Sequence, residues 1–357
     1  MRLKELASAK MRRIETVIVV LALAFYVWFL SHFGTREVLG YVRLAGWGLA
    51  LTISLEAFAR IANTLGWRVT IGEYGHGLRF GQLFLARIAG EAVDYTTPSA
   101  QLGGQFVMAM MVRRNLEMAA GLSTAIIAAL CEMVGQIGFI TLALLMSIRL
   151  VPRTSDFFWA ILGGFGLALA LIGGFFFVQR KHPFSYLIAG ASKLPGIDAE
   201  EYRASAAEAD QILLDFYAHH RVKLVLSSLC YLFAWSLGPV EIYILLRLLH
   251  QPASLEIALL IEGVGLLLER ATFLIPAKLV SQEGGKALIV ALLGYPAGVG
   301  FAIGFLRRIK EMVWVLFGLL SLMIHRLRMR KETATTDANA GRTDKIVGLR
   351  MKAEEPR

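Results

Sequence analysis

Cysteine is nearly absent from this chain: Cys131 and Cys230 are the only two in 357 residues, and both sit in apolar runs. Two such thiols build no disulfide framework and carry no information about redox compartment. The 7 histidines are scattered, with only His219 and His220 adjacent, so no metal-ligand spacing exists and no metal site is expected. No nucleophile–base pair accompanies the apolar-embedded acids, which leaves no catalytic residue to nominate and no cofactor implied. Nothing alternates polar with apolar residues as a membrane barrel would. After the first apolar run, SHFGTREV offers no small-x-small cleavage site, so that run reads as an uncleaved span rather than a signal peptide.

What is abundant is apolar sequence. Hydrophobic residues make up 56% of the chain and mean hydropathy is +0.59, above the roughly 45–50% of soluble domains. This is the composition of an integral membrane protein. Thr16 to Leu30, Leu44 to Ala59, Phe157 to Val178 and Leu224 to Leu249 approach or reach the length needed to cross about 30 Å of hydrocarbon as helices. With no barrel pattern, helices are the one way to satisfy the backbone in lipid, and the fold class is an all-α polytopic membrane protein.

The net charge of +10 matters less than its placement. Arg2, Lys4, Lys10, Arg12 and Arg13 crowd the basic segment 1–15, and Arg326, Arg328, Arg330 and Lys331 flank the last apolar run. Both termini are therefore expected in the cytoplasm. Because the basic residues flank spans, they mark membrane orientation rather than a nucleic-acid footprint. The polar segment 327–357 (ETATTDANAGRTDK within it) has the composition of a disordered tail that can touch anionic lipid.

A connector is expected over 179–221. Within it Tyr202, Ala206, Ala209, Leu213 and Phe216 form one helical stripe, opposite Glu200, Glu201, Glu208 and Asp215. A lipid-surface helix would be basic on its polar face, so this one is expected to pack on protein. On either side of the connector the chain repeats itself, over 78–148 and 255–323. Glu91 stands seven residues before Pro98, and Glu269 seven before Pro276. Gly103-Gly104 and Gly284-Gly285 follow, then a short apolar run, a turn, and a long helix carrying CEMV (131–134) or KEMV (310–313). The same order twice reads as an internal repeat.

Pro98 cannot sit in a helix interior, and the glycines after it loosen the backbone beyond the break. A helix from Leu78 to Tyr95 and a short one from Gln105 to Val112 are each too short to span, and Arg87, Glu91 and Asp94 share one face. A re-entrant hairpin fits, its broken tip covered by protein or by a wet cavity. Counting from a cytoplasmic amino terminus gives six spans and two hairpins on opposite faces, as inverted repeats require. Discontinuous helices in corresponding halves point to a midplane site in transporters.

The segments AVDYTTPSAQLGGQ and IPAKLVSQEGGKALIVALLGYPAGVGFAIGFLRR resemble the flippase-like transmembrane family found as the membrane half of lysylphosphatidylglycerol synthases. The form P-x-AQ-x-GG is most similar to the hopanoid-associated members. Over residues 16–326 the resemblance implies a bacterial inner-membrane protein that moves or handles an amphipathic lipid, a hopanoid or an anionic phospholipid, alongside lipid-biosynthetic proteins. Gln105 stands where the family usually has an acid, and Met133 where an Arg is common. The short tail leaves no room here for the synthases' soluble transferase domain, so no enzyme activity is expected.

A charge at the bilayer centre costs roughly 2.5–3.5 kcal/mol on insertion scales, so the many charges at that depth must pair or face water. Glu56 and Arg60, four apart with Glu first, read as a structural pair. The candidate substrate-binding residues are Glu91, Asp94, Gln101, Gly103, Gly104 and Gln105 on the first hairpin, and Glu132 on the helix after it. Glu269, Lys278, Glu283 and Lys286 join them from the second hairpin, with Arg307 and Arg308 from the last helix. For those arginines two readings stand: a lipid phosphate held by the planar guanidinium fork, or a buried ion-pair network with Glu269 and Glu283 as partners. Lipid translocation or binding is the leading expectation, and a non-transporting scaffold for a lipid-biosynthetic complex is the alternative.

Overall fold

The computed structural model describes residues 43–97, 102–179, 185, 199–271 and 279–353. Among them all regular structure is helical. The first apolar run, Thr16 to Leu30, lies outside the described residues, as do Gln101, Pro98, Pro276 and Lys278. We number the helices α1 (Trp47–Ile71), α2 (Phe80–Thr96), α3 (Leu102–Val112), α4 (Met118–Ser147) and α5 (Asp156–Gln179). After them come α6 (Ala199–His219), α7 (Arg221–Leu248), α8 (Leu255–Ala271), α9 (Leu279–Leu292) and α10 (Ala297–Ala353). Among the described residues three stretches, α4, α7 and Gly298–Met329 of α10, are long and apolar enough to cross a membrane.

The break before Pro98 follows from local sterics. Thr97 is extended at φ −118°, ψ 141°, the region to which a following proline drives its neighbour. Beyond the break α3 folds back along α2. Met108 and Val112 of α3 share a cluster with Leu83 and Ala86 of α2, and the Gly104 amide donates to Asp94 Oδ1 at 2.7 Å. The glycines make this closeness possible: a Cβ on Gly90 would lie 2.7 Å from the Gly104 carbonyl oxygen, and one on Gly104 would lie 2.6 Å from that of Gly90. α8 and α9 form the second hairpin, with Leu268 against Gly285.

Packing between the two hairpins is crossed. The second arm of each, α3 or α9, lies on the long helix that follows it, α4 or α10. The first arms are exchanged: α2 packs on α10, and α8 on α4. Gly318 on α10 is where α2 comes closest, since a Cβ there would sit 2.2 Å from the Ile88 carbonyl oxygen. α1 and α7, which precede the two hairpins, pack extensively on each other. α6 packs on α4, with Leu213 and Phe216 fully or almost fully buried, so the stripe read from the sequence meets protein. α10 continues as helix to Ala353, over a polar tail whose composition suggests disorder.

Two apolar clusters sit at opposite ends of α4 and α7. One gathers Phe139 to Leu144 of α4 and Ile242 to Leu246 of α7 with parts of α8, α9 and α10. The other gathers Ala120 to Cys131 of α4 and Tyr231 of α7 with α1, α2, α3 and α6. Glu132 and Glu241 fall between these clusters in sequence, and with them a set of charged side chains enters the bundle.

Candidate functional site

The charged set grows from one helical turn of α1. Arg60 Nη2 reaches Glu56 Oε1 at 3.2 Å, the pair expected from their spacing, but neither residue stops there. Arg60 also pairs with Glu91 of α2, and Glu91 Oε1 accepts from Arg87 Nε at 2.7 Å. Arg87 Nη2 then donates to Glu132 Oε2 of α4 at 2.7 Å. In the other direction Glu56 Oε2 accepts from Lys310 Nζ of α10 at 2.8 Å, and Lys310 also donates to Glu241 Oε2 of α7 at 2.8 Å. Arg307 Nε lies 3.0 Å from Glu241 Oε2, in poor alignment for a hydrogen bond. Both Nη atoms of Arg307 donate to Glu262 of α8, one at 2.9 Å. Lys286 of α9 completes the series, 3.5 Å from Glu262.

The result is a continuous chain, Glu132–Arg87–Glu91–Arg60–Glu56–Lys310–Glu241–Arg307–Glu262–Lys286, in which every neighbour has opposite sign. Its five carboxylates balance its five cations. Seven helices contribute, so the chain also ties the bundle together. Neutrality on this scale is what the low-dielectric setting demands, because a single buried ion without a partner costs several kcal/mol. Aromatic faces shield two of the guanidiniums: Arg60 lies 4.9 Å from the Trp314 ring centre and Arg87 5.5 Å from that of Tyr231. Gly238 leaves room for the Glu262 carboxylate, since a Cβ there would come within 2.6 Å of Oε1.

The chain is partly exposed along one edge. Side chains of Glu56, Glu91 and Glu132 are 23%, 24% and 26% exposed, whereas those of Glu241, Glu262 and Lys286 are at 4% or below. Of the nominated residues, Glu91, Glu132, Lys286 and Arg307 belong to the chain. Asp94, Gly103, Gly104 and Gln105 stand beside it at the first hairpin, where Gln105 Oε1 is buried without a hydrogen-bond partner. Arg308 is fully buried on α10 and donates to the Tyr95 hydroxyl at 3.3 Å. Glu269 is half-buried near the end of α8, and Glu283 lies on α9. Gln101 and Lys278 fall outside the described residues.

For Arg307 the sequence nominated Glu269 and Glu283; its direct partners are Glu241 and Glu262, with Glu269 adding to the acidic surroundings of its guanidinium, while the Glu283 side chain lies outside what the structure describes. Glu241 carried no local signal, being a lone acid in an apolar helix, although such isolation is itself a mark of function or pairing. A second missed group is Asp210 of α6, fully buried and accepting from the amide and hydroxyl of Ser185 at 2.9 and 2.6 Å. Among the described residues no group of three His, Cys, Asp or Glu is placed to hold a metal ion. Chemically, the chain offers ion-pair exchange rather than bond breaking: each of its cations except the terminal Lys286 has a carboxylate on either side.

A family model described as the lysylphosphatidylglycerol synthase TM region matches residues 15–319. No curated protein and no solved structure matches the chain.

Proposed function

Since the chain belongs to the lysylphosphatidylglycerol synthase transmembrane-region family, we propose that it is a lipid-handling protein of the bacterial inner membrane, translocating or binding an amphipathic lipid. The observation that carries this reading is the neutral ten-residue charge chain buried within a largely apolar bundle. Intramembrane charges are costly and mark substrate paths by default. The crossed packing of the hairpins supports a reading as two inverted repeats with six spans, both termini cytoplasmic and both hairpins re-entrant. In that arrangement the charge chain lies near the midplane, where discontinuous helices of transporters hold their substrates.

The test is reconstitution of purified protein into vesicles containing acyl-labelled phospholipid, with the outer leaflet read by a membrane-impermeant quencher. Labelled lipid should become fully accessible in vesicles holding active protein, and only the outer-leaflet fraction in vesicles holding heat-inactivated protein. A second reading, a non-transporting scaffold for a lipid-biosynthetic complex, is favoured by the complete pairing of the charge chain and by the exposed acids Glu208 and Asp215 on α6. It predicts identical accessibility in both sets of vesicles.

A further inference from the structure

The middle of α10 carries an exposed apolar face. Leu316, Phe317, Leu320, Met323, Ile324 and Leu327 are all exposed, and they recur at helical spacing along one side. Arg328, exposed as well, stands one turn beyond Ile324 and so ends that stripe with a charge. The stretch of α10 that is apolar enough to cross a membrane ends at Met329, which sets Arg328 at head-group depth.

The fold brings more arginines to this point. α10 and α2 run in opposite directions: Val315 shares a cluster with Ala92, Gly318 lies on Ile88, and the Ser321 hydroxyl donates to the Leu85 carbonyl at 3.0 Å. The same register carries His325 and Arg328 past the start of α2, where Arg79 is exposed. Leu322 shares an apolar cluster with Val107 and Met110 of α3. One turn on from Leu322 is His325, and one turn on from Met110 are the exposed Arg113 and Arg114. Half-buried His325 accordingly stands in the combined field of Arg113, Arg114 and Arg328. The segments 78–82, 113–117 and 322–329 hold five arginines and a single acid, Glu117. Arginines that only mark orientation need no common point; these come from three elements to one place beside the apolar stripe.

We propose that this part of α10 is a binding site for an anionic phospholipid of the surrounding leaflet, with its phosphate among Arg113, Arg114 and Arg328 and an acyl chain along the stripe from Phe317 to Leu327. Guanidinium forks match phosphate oxygens, and the adjoining apolar stripe suits a lipid rather than a free phosphate. An ethanolamine ammonium would be set among arginines, so the site selects head groups that carry no cation. Bound there, the lipid bridges the turn after the first hairpin to α10 and reinforces the crossed packing of α2 on α10. The site is about 27 Å along α10 from Lys310, at 1.5 Å per residue, and is independent of whether the protein translocates lipid through the charge chain.

The experiment follows the melting midpoint of the full-length protein in phosphatidylethanolamine nanodiscs as phosphatidylglycerol replaces a rising share of the lipid, with retained phosphatidylglycerol counted by native mass spectrometry. The midpoint should rise with phosphatidylglycerol. The double variant Arg113→Gln with Arg328→Gln changes exposed side chains, so it should melt like the unaltered protein in pure phosphatidylethanolamine. It should hold phosphatidylglycerol roughly thirtyfold less tightly, the factor for two basic residues at a lipid surface. Arg153→Gln with Arg247→Gln removes the same charge from exposed positions at the other end of the bundle and should keep the full response. Absence of the rise in the unaltered protein, its persistence in the Arg113 and Arg328 variant, or its equal loss in both variants overturns the site. A rise reproduced by inorganic phosphate in phosphatidylethanolamine nanodiscs overturns the lipid as its ligand.

Discussion

Glu262 is the carboxylate on which the buried end of the charge chain depends. Its side chain is 2% exposed, it accepts from both Nη atoms of Arg307, and it lies 3.5 Å from Lys286, itself 2% exposed. Glu262→Gln keeps shape and removes the charge. Arg307 retains Glu241, but the Lys286 ammonium is left buried without a carboxylate. Breaking a buried pair from one side typically costs about 3–5 kcal/mol. At a few degrees per kcal/mol for a chain of this size, the melting midpoint in detergent should fall by roughly 5–15 °C. Lys286→Met removes the other member and leaves Glu262 fully engaged by Arg307, so it should cost only about 1 kcal/mol. The double variant, which strands neither ion, should melt close to Lys286→Met. Thermal unfolding of the four proteins in one detergent decides the matter. If Glu262→Gln and Lys286→Met fall equally, or if the double variant is as unstable as Glu262→Gln, the pair does not carry the weight the distances give it.

Gly318→Ala should separate α2 from α10, because the added methyl would meet the Ile88 carbonyl at 2.2 Å; a loss of about 1–3 kcal/mol in the same melting assay is expected. Topology is testable with single cysteines in an otherwise cysteine-free background. Positions Arg113 and Gln179 should label only from the cytoplasm and Pro252 only from outside, and external labelling at Arg113 would contradict the six-span arrangement with its paired hairpins.

The hairpins are legible in the sequence because their cause is local. Pro98 dictates the extended Thr97 before it, and Gly103-Gly104 announces a close approach whatever it approaches. The α6 stripe and the Glu56–Arg60 spacing are legible for the same reason: helical periodicity fixes which residues share a face. Periodicity does not say which helix that face will meet. Arg307 and Glu241 are paired across the gap between α10 and α7, and Lys310 and Glu56 across most of the chain. Those partners depend on the rotation of each helix about its axis, which tertiary packing sets. The strict alternation of charge is therefore out of reach of the sequence, even though nine of its ten members stand out there as charges at membrane depth. Glu241 is the missing one, and without it the chain does not close.

The exchanged first arms have a consequence for biosynthesis. Ile88 of α2 finds its closest partner only at Gly318 of α10, some 230 residues later, and bacterial or eukaryotic ribosomes add about 5–20 residues per second. The first hairpin, with Arg87 and Glu91 on it, must wait on the order of 10–50 s in the bilayer or the insertion machinery before its mate exists. During that interval its own glycine-tight fold-back and the Arg60 and Glu132 partners already made are what keep its charges matched. The early half of the chain thus carries its own provisional neutralisation, and the nascent chain can dwell half-built without exposing an unmatched guanidinium to lipid.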